Sequence, residues 1–217
     1  MKRAQPNYSR FNFLAFLESI KRKINAIGNI FYCEIIFFEY FVYVFRWRNI
    51  NFRIFKKKNQ DTIWPRGFPL DEINKVHQIK ISNKLISSPI QQRLCDGNPD
   101  VDAIFRLTKK NIFHTFEKKN YAISNRSICP FNSQNTIWHT SLLPLMYLPV
   151  TCTMRCTDIW RSLITLQIMR ANKLEILFFG TSMYQIRNKH DLYQDFKDEV
   201  PAYLHNKKII NILENIK

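Results

Sequence analysis

DIWRSLITLQIMRANKLEILFFG, Asp158 to Gly180, decides the fold. Ile159, Leu163, Leu166 and Met169 recur at steps of three and four residues, so the stretch to Lys173 predicts an amphipathic helix. LEILFFG then predicts a buried strand closed by Gly180. Downstream, HDLYQDFKDEVPAYL and KKIINILENI predict one or two surface helices. Upstream, residues 61–150 hold seven of the nine prolines, in WPRGFPLDEI, SSPI, GNPD, ICPFNS, LLPL and YLPV. Proline cannot sit inside a central strand or helix, so this part predicts short strands joined by tight loops. There is no internal repeat, heptad array or low-complexity tract. Helix and strand mixed in this order give an α/β or α+β class.

A chain of 217 residues, 46% hydrophobic, holds one domain's worth of core and is neither collagen-like nor wholly disordered. Its four glycines, Gly28, Gly67, Gly97 and Gly180, are too far apart for a glycine-rich phosphate loop. That excludes most NTPases, protein kinases and Rossmann dehydrogenases. The net charge is +16, and residues 1–60 carry +9 of it. Such a surplus favours polyanions: nucleic acid, an acidic membrane surface or a phosphorylated small molecule. Abundant Asn, Lys, Ile and Phe also follow from an AT-rich genome. The basic residues form no compact motif, and the paired aromatic signatures of RNA-binding sheets are missing, which ranks nucleic acid last.

The five cysteines, Cys33, Cys95, Cys129, Cys152 and Cys156, are odd in number and lack zinc-site spacing, so they predict buried free thiols. The N-terminus does not read as a secretory signal, because Glu18 and Lys21-Arg22-Lys23 break its apolar stretch. Ile30–Phe45, IFYCEIIFFEYFVYVF, is shorter than the ~20 residues of a bilayer span and contains Glu34 and Glu39. It predicts one or two buried strands, with a membrane segment as the alternative, since Arg46 and Arg48 follow as flanking anchors would.

Four segments carry groups suited to chemistry. In Trp64-Pro65-Arg66-Gly67-Phe68-Pro69, a bend presents Arg66, either to a phosphate or carboxylate or as a cap on carbonyls. In Asp96-Gly97-Asn98-Pro99-Asp100-Val101-Asp102, Asp100 and Asp102 point the same way if the segment is extended, as a Mg²⁺ or Mn²⁺ bridging diphosphate oxygens requires. The alternative is a polar turn entering a strand, with Asp100 capping backbone N–H groups. Asn132, Ser133, Gln134, Asn135 and Thr136 form a run of uncharged hydrogen-bonding groups suited to sugar or nucleoside hydroxyls. In Arg155-Cys156-Thr157-Asp158-Ile159-Trp160-Arg161, Thr157 or Asp158 predicts a helix N-cap, and Asp158 is also a candidate general base.

In this order, WPRGFPLDEI, CDGNPDVDAIFRLT, CPFNSQNTIW and LPVTCTMRCTDIWRSLI resemble the STELLO-type glycosyltransferase-like family. KHDLYQDFKDEVPAYL is similar to its animal members. More distantly, the PRG, PDVDA and DIW pieces are similar to the reversibly glycosylated polypeptide family of nucleotide-sugar mutases. The resemblance covers residues 60–213. It implies a partial GT-A-like nucleotide-sugar-binding α/β fold, a mixed sheet flanked by helices, and a Golgi or other endomembrane setting. It divides the chain into a basic, aromatic segment at 1–59 and a glycosyltransferase-like part at 60–217. It also implies a nucleotide sugar and a glycan acceptor as partners, with Trp64, Arg66, Asn132, Ser133, Gln134, Asn135 and Arg161 binding substrate and Asp158 catalytic.

Mn²⁺ or Mg²⁺ would fall to Asp100 and Asp102. One departure stands out. Such domains carry consecutive Asp residues before the WPRG segment, where this chain has CEIIFFEYFVYVFRWRNINF with Glu34 and Glu39 as its only carboxylates. A nucleotide-binding half also does not fit within 60 residues. The expectation is therefore a truncated or mis-spliced relative with a compromised metal site. The alternative function is a non-catalytic scaffold or partner of membrane-associated glycan-synthesising enzymes.

Overall fold

The computed structural model describes residues 38–44, 63–73, 80–86, 88–109, 115–116, 120–124 and 128–216, with 38–44 and 80–86 described by backbone alone. Six strands are β1 (Phe38–Val44), β2 (Lys80–Ile86), β3 (Ile90–Gly97), β4 (Tyr121–Ile123), β5 (Thr136–Trp138) and β6 (Ile176–Gln185). Three α-helices are α1 (Ala103–Thr108), α2 (Met154–Ala171) and α3 (Leu192–Glu214). The strands form one mixed sheet in the order β2-β1-β4-β6-β3-β5. β3 runs parallel to β6, and β1 runs parallel to β4. The remaining neighbours are antiparallel. The expected α/β class, a mixed sheet flanked by helices, is what the chain adopts, and it is consistent with part of a GT-A-like fold.

Helix α2 is the spine of the core. The expected apolar face is there, with Ile159, Leu163, Leu166 and Met169 all buried. Trp160 and Ile168 are buried as well, so α2 is covered by the sheet on one side and by α3 on the other. Burying each such side chain contributes about 1.5–3 kcal/mol. The helix begins earlier than the capping signal suggested. Thr153 is its N-cap, without a side-chain cap bond, and Asp158 lies inside the helix, where its carboxylate is drawn to Arg66.

Gly180 does not close β6, which continues to Gln185 because its second half pairs with Cys95–Gly97 of β3. The segment after Asp102 is helix α1 rather than a strand, since Asp102 caps it. The two C-terminal helix signals merge into the single helix α3, which passes through Pro201. The missing proline N–H removes one ladder bond, and packing of Ala202, Ile209, Ile210 and Leu213 into the core offsets it.

Phe38–Val44 of the aromatic Ile30–Phe45 stretch is a strand, as expected. Through β1, the sheet takes in both sides of the boundary at residues 59 and 60. Cys33 and Glu34 lie outside the described residues, as does the side chain of Glu39. The other four cysteines are free, three of them buried and Cys152 half-buried. Among the described residues, no helix is long and apolar enough to cross a membrane.

Candidate functional site

Three loops and one helix end meet beyond the carboxyl ends of the parallel strands β3 and β6. The first loop is anchored by Ile63, Trp64 and Phe68 in the core and turns at Gly67, whose φ is +89°. A Cβ there would come within 2.4 Å of Ile159 Cγ2, so only glycine lets the loop lie on α2. Asn206 of α3 donates to the Gly67 carbonyl at 2.8 Å and accepts from Trp160 Nε1 at 2.8 Å, tying both helices to the turn. The second loop leaves β3 at Gly97, with Asn98 N donating to Gln185 O at 3.0 Å. The third is the turn through Asn132–Asn135 leading into β5, with Asn135 at φ +52°.

Arg66 joins them. Its Nε and Nη2 donate to Asp100 Oδ2 at 3.0 and 2.8 Å, and its Nη1 and Nη2 donate to Asp158 Oδ1 and Oδ2 at 2.9 Å each. Nη1 donates further to the Arg155 carbonyl. All five guanidinium N–H groups are thereby used. Burial works against the charge, but Asp100 and Asp158 outweigh it and hold the Arg66 pKa well above its ordinary value. The fork expected to receive a ligand's phosphate is filled by the protein's own carboxylates.

Asp100 is the most crowded acceptor. Besides Arg66 it takes Asn132 Nδ2 at 2.9 Å and Arg187 Nη2, and Arg155 Nη1 stands 3.8 Å from Oδ1. Burial raises its pKa, but Arg66 and Arg187 reverse this and hold the carboxyl well below the usual carboxylate range. Asp102 is treated differently. One oxygen accepts from Phe105 N at 2.7 Å as the N-cap of α1, and the other accepts from Trp64 Nε1. With no guanidinium bound to it, burial pushes its carboxyl up to about 6.

Neighbouring Glu199 is also buried. It accepts from Arg155 Nε at 2.8 Å, from Ala103 N at 2.8 Å and from Tyr203 Oη. Burial, with Asp102 and Glu199 nearby, pushes the Tyr203 hydroxyl well above its usual range.

The other expected binding residues divide between wall and cleft. Trp64 packs edge-on against Phe105, centroids 4.9 Å apart, inside the core. Ser133 N donates to Asp158 at 3.1 Å, and its hydroxyl accepts from Arg161 Nη2 at 2.9 Å. The Arg161 guanidinium lies 5.0 Å from the Trp138 ring centroid, and burial lowers its pKa. Asn135 Nδ2 donates to Ser182 at 3.1 Å, and its carbonyl accepts from Arg93 N. Thr136 donates to the Asn132 carbonyl and to Gln92. The run of polar side chains is thus mostly consumed in building its own turn.

What remains open is a small cleft bounded by Arg66, Asp100 and Asn132 and lined by Phe131 and Phe178. Gln134 lines it, and its side-chain amide makes no hydrogen bond among the described residues. Arg93 pairs with Phe179 and its guanidinium lies 4.9 Å from that ring, on the face of the sheet away from Phe178.

These donors do not fit a divalent cation. Asp100 has both oxygens on arginines, Asp102 has both on N–H groups, and no cluster of three or more His, Cys, Asp or Glu suited to a metal occurs among the described residues. A hard cation needs several free oxygens, and here positive guanidinia hold the nearer carboxylate instead. Arg155, Arg187 and Glu199 complete the site without having been singled out in the sequence.

Comparison with known proteins now bears on this geometry. Residues 155–217 match the family of STELLO glycosyltransferases. The match takes in Arg155, Asp158, Arg161, Arg187 and Glu199, that is, the α2 and α3 side of the node. The probable glycosyltransferases STELLO2 and STELLO1 of Arabidopsis thaliana are each 29% identical over 110 residues. That alignment covers 47% of this chain and only 14% of either relative. The resemblance expected from the motifs is therefore found, and over this part the chain is glycosyltransferase-like.

Proposed function

We propose that this chain forms part of a glycosyltransferase-like domain that takes a nucleotide-sugar donor into the cleft beside Arg66 and sets it against a glycan acceptor. The observation that carries this reading is convergence. Arg66, Asp100, Asn132 and Asp158, scattered over nearly a hundred positions, meet through hydrogen bonds of 2.8–3.0 Å. They do so beyond the carboxyl ends of parallel strands, where open α/β sheets hold ligands. The STELLO match on the α2–α3 side supports it.

In this reading Arg66, Asp158, Asn132 and Ser133 hold the wall in shape, while Gln134 meets the ligand's polar groups over an aromatic floor. Asp158 is locked to Arg66 and Ser133, which makes it a positioning residue rather than the base expected of it. No step is routed through a metal, since the described carboxylates are engaged elsewhere. The Golgi or endomembrane setting is part of the same proposal.

Thermal melting with uridine diphosphate, with and without Mn²⁺, tests the reading. A ligand that binds the native state at tenfold over its Kd adds about 1.4 kcal/mol and raises Tm. The expected result is a rise that does not need Mn²⁺. No shift at millimolar nucleotide contradicts it.

A second reading, a scaffold for membrane-associated glycan-synthesising enzymes, is favoured by the internal use of every Arg66 donor and of both Asp158 oxygens. In that case partner capture survives Gln134→Ala, and no nucleotide binds.

A further inference from the structure

Arg66 and Arg187 both reach Asp100, and they differ in what they have left to offer. Arg66 has no donor to spare. Arg187 gives Nη2 to Asp100 Oδ1, and neither its Nε nor its Nη1 makes a hydrogen bond among the described residues, although Nε is shut away from solvent. Arg187 leaves β6 on the coil between Gln185 and α3, where Asn188, Lys189 and His190 are exposed. Beside it Arg106, nine-tenths buried, donates to Asn98 Oδ1 and the Pro99 carbonyl; among the described residues no carboxylate bonds to it, and its buried Nε is unbonded. Burial and the repulsion of Arg187 pull the Arg106 pKa down to about 10.

Of the local acids, two are committed elsewhere, while Asp195 keeps a buried Oδ2 without a hydrogen bond among the described residues. Asp158 is on Arg66, and Glu199 is on Arg155. Asp195 lies 3.9 Å from Arg155 and 3.3 Å from His190 Nδ1. Buried guanidinium donors without acceptors cost free energy unless an anion supplies oxygens, and a tetrahedral phosphate matches the planar fork through paired hydrogen bonds.

We propose that Arg187, backed by Arg106 across the Asn98–Asp100 loop, is a phosphate-binding site that receives the diphosphate of the ligand. This inference rests on the nucleotide-sugar reading and names the residue that takes its charge. The anion accepts from Arg187 Nη1, the donor that is neither bonded among the described residues nor buried, while Asp100 keeps the side chain in place through Nη2. The loop after β6 thus supplies the cation that sequence reasoning had sought in Arg66.

Calorimetric titration of the full chain with inorganic pyrophosphate, and separately with uridine diphosphate, tests it. Arg187→Lys keeps one charge for Asp100 but loses the fork, and Arg187→Ala loses both. Arg93→Ala, on the opposite face of the sheet, and Arg170→Ala, whose partner Glu214 lies at the far end of α3, report adventitious attraction to a chain of charge +16. The expected result is pyrophosphate affinity lower by about tenfold in Arg187→Lys and further in Arg187→Ala, the loss of a charged hydrogen bond, with Arg93→Ala and Arg170→Ala unchanged. Equal affinity in Arg187→Lys and the parent chain, or loss in Arg93→Ala alone, overturns the site. If uridine diphosphate binds while Arg187 has no effect, this inference falls and the nucleotide-sugar reading stands. If pyrophosphate binds through Arg187 and the nucleotide does not bind, the site stands as a phosphate site and the nucleotide-sugar reading falls.

Discussion

Asp100 and Asp102 sit two residues apart, both nine-tenths or more buried, and end in opposite electrostatic states. Asp100 faces the Arg66 node, where Arg66 and Arg187 hold it ionised. Asp102 faces the α1–α3 side, where N–H dipoles are its hydrogen-bond partners and burial lifts its carboxyl to about 6. Burial is shared, so the difference comes from the partner: a full positive charge overcomes desolvation and a dipole does not. The same partners are why the pair, with all four oxygens engaged, does not fit a divalent cation. One carboxylate is neutralised by cations, and the other is turned into the cap of a helix.

Removing the cation should break the comparison most violently. Arg66→Ala leaves the buried Asp158 without its partner and Asp100 with a weaker set, and should cost about 3–5 kcal/mol in urea unfolding. A loss under 1 kcal/mol would show that the node does not hold the loops. Next is the dipole side. Asp102→Ala removes the α1 cap and orphans the Trp64 indole N–H, an expected loss of about 2–3 kcal/mol by the same measurement.

Acidity sharpens the contrast, because the two groups move stability in opposite directions. The Asp102 pKa is raised in the native state, so the proton binds that state more tightly. Stability contributed by Asp102 therefore rises as pH falls through about 6 and is complete below the unfolded value of 3.8. Between pH 7 and 5 the gain is about 1 kcal/mol, and urea midpoints of the parent chain should show it relative to Asp102→Ala. The Asp100 pKa is lowered, so its contribution is present above 3.8 and is lost only in stronger acid. The smallest effect belongs to Arg170→Ala. Its ion pair with Glu214 is partly exposed, and its loss should stay within about 0.5 kcal/mol.

Much of this was legible in the sequence. The spacing of Ile159, Leu163, Leu166 and Met169 located α2, because a core helix writes its face in apolar residues. The order of the four motif segments pointed to the residues that meet at Arg66. The direction of each side chain was not legible. Whether Arg66 turns inward or outward depends on Gly67 lying against Ile159, a tertiary contact with no local signal.

Glu199 escaped notice because the buried face of α3 carries Asp195, Glu199 and Asn206 among its apolar positions, which hydrophobic periodicity reads as solvent-facing. Arg187 looked like one more of 33 basic residues. Only the pairing of β6 with β3 brings it to Asp100. Asp102 as a cap had a signal, an Asp before an apolar run, which the reading assigned to Asp100 and to a strand.

The comparison is tested most directly by the carboxyl carbon resonances of Asp100 and Asp102, followed by NMR from pH 8 to pH 3. The account predicts that Asp102 titrates with a midpoint near 6 while Asp100 stays ionised throughout. Two midpoints near the ordinary 3.8, or Asp100 titrating above Asp102, would contradict it.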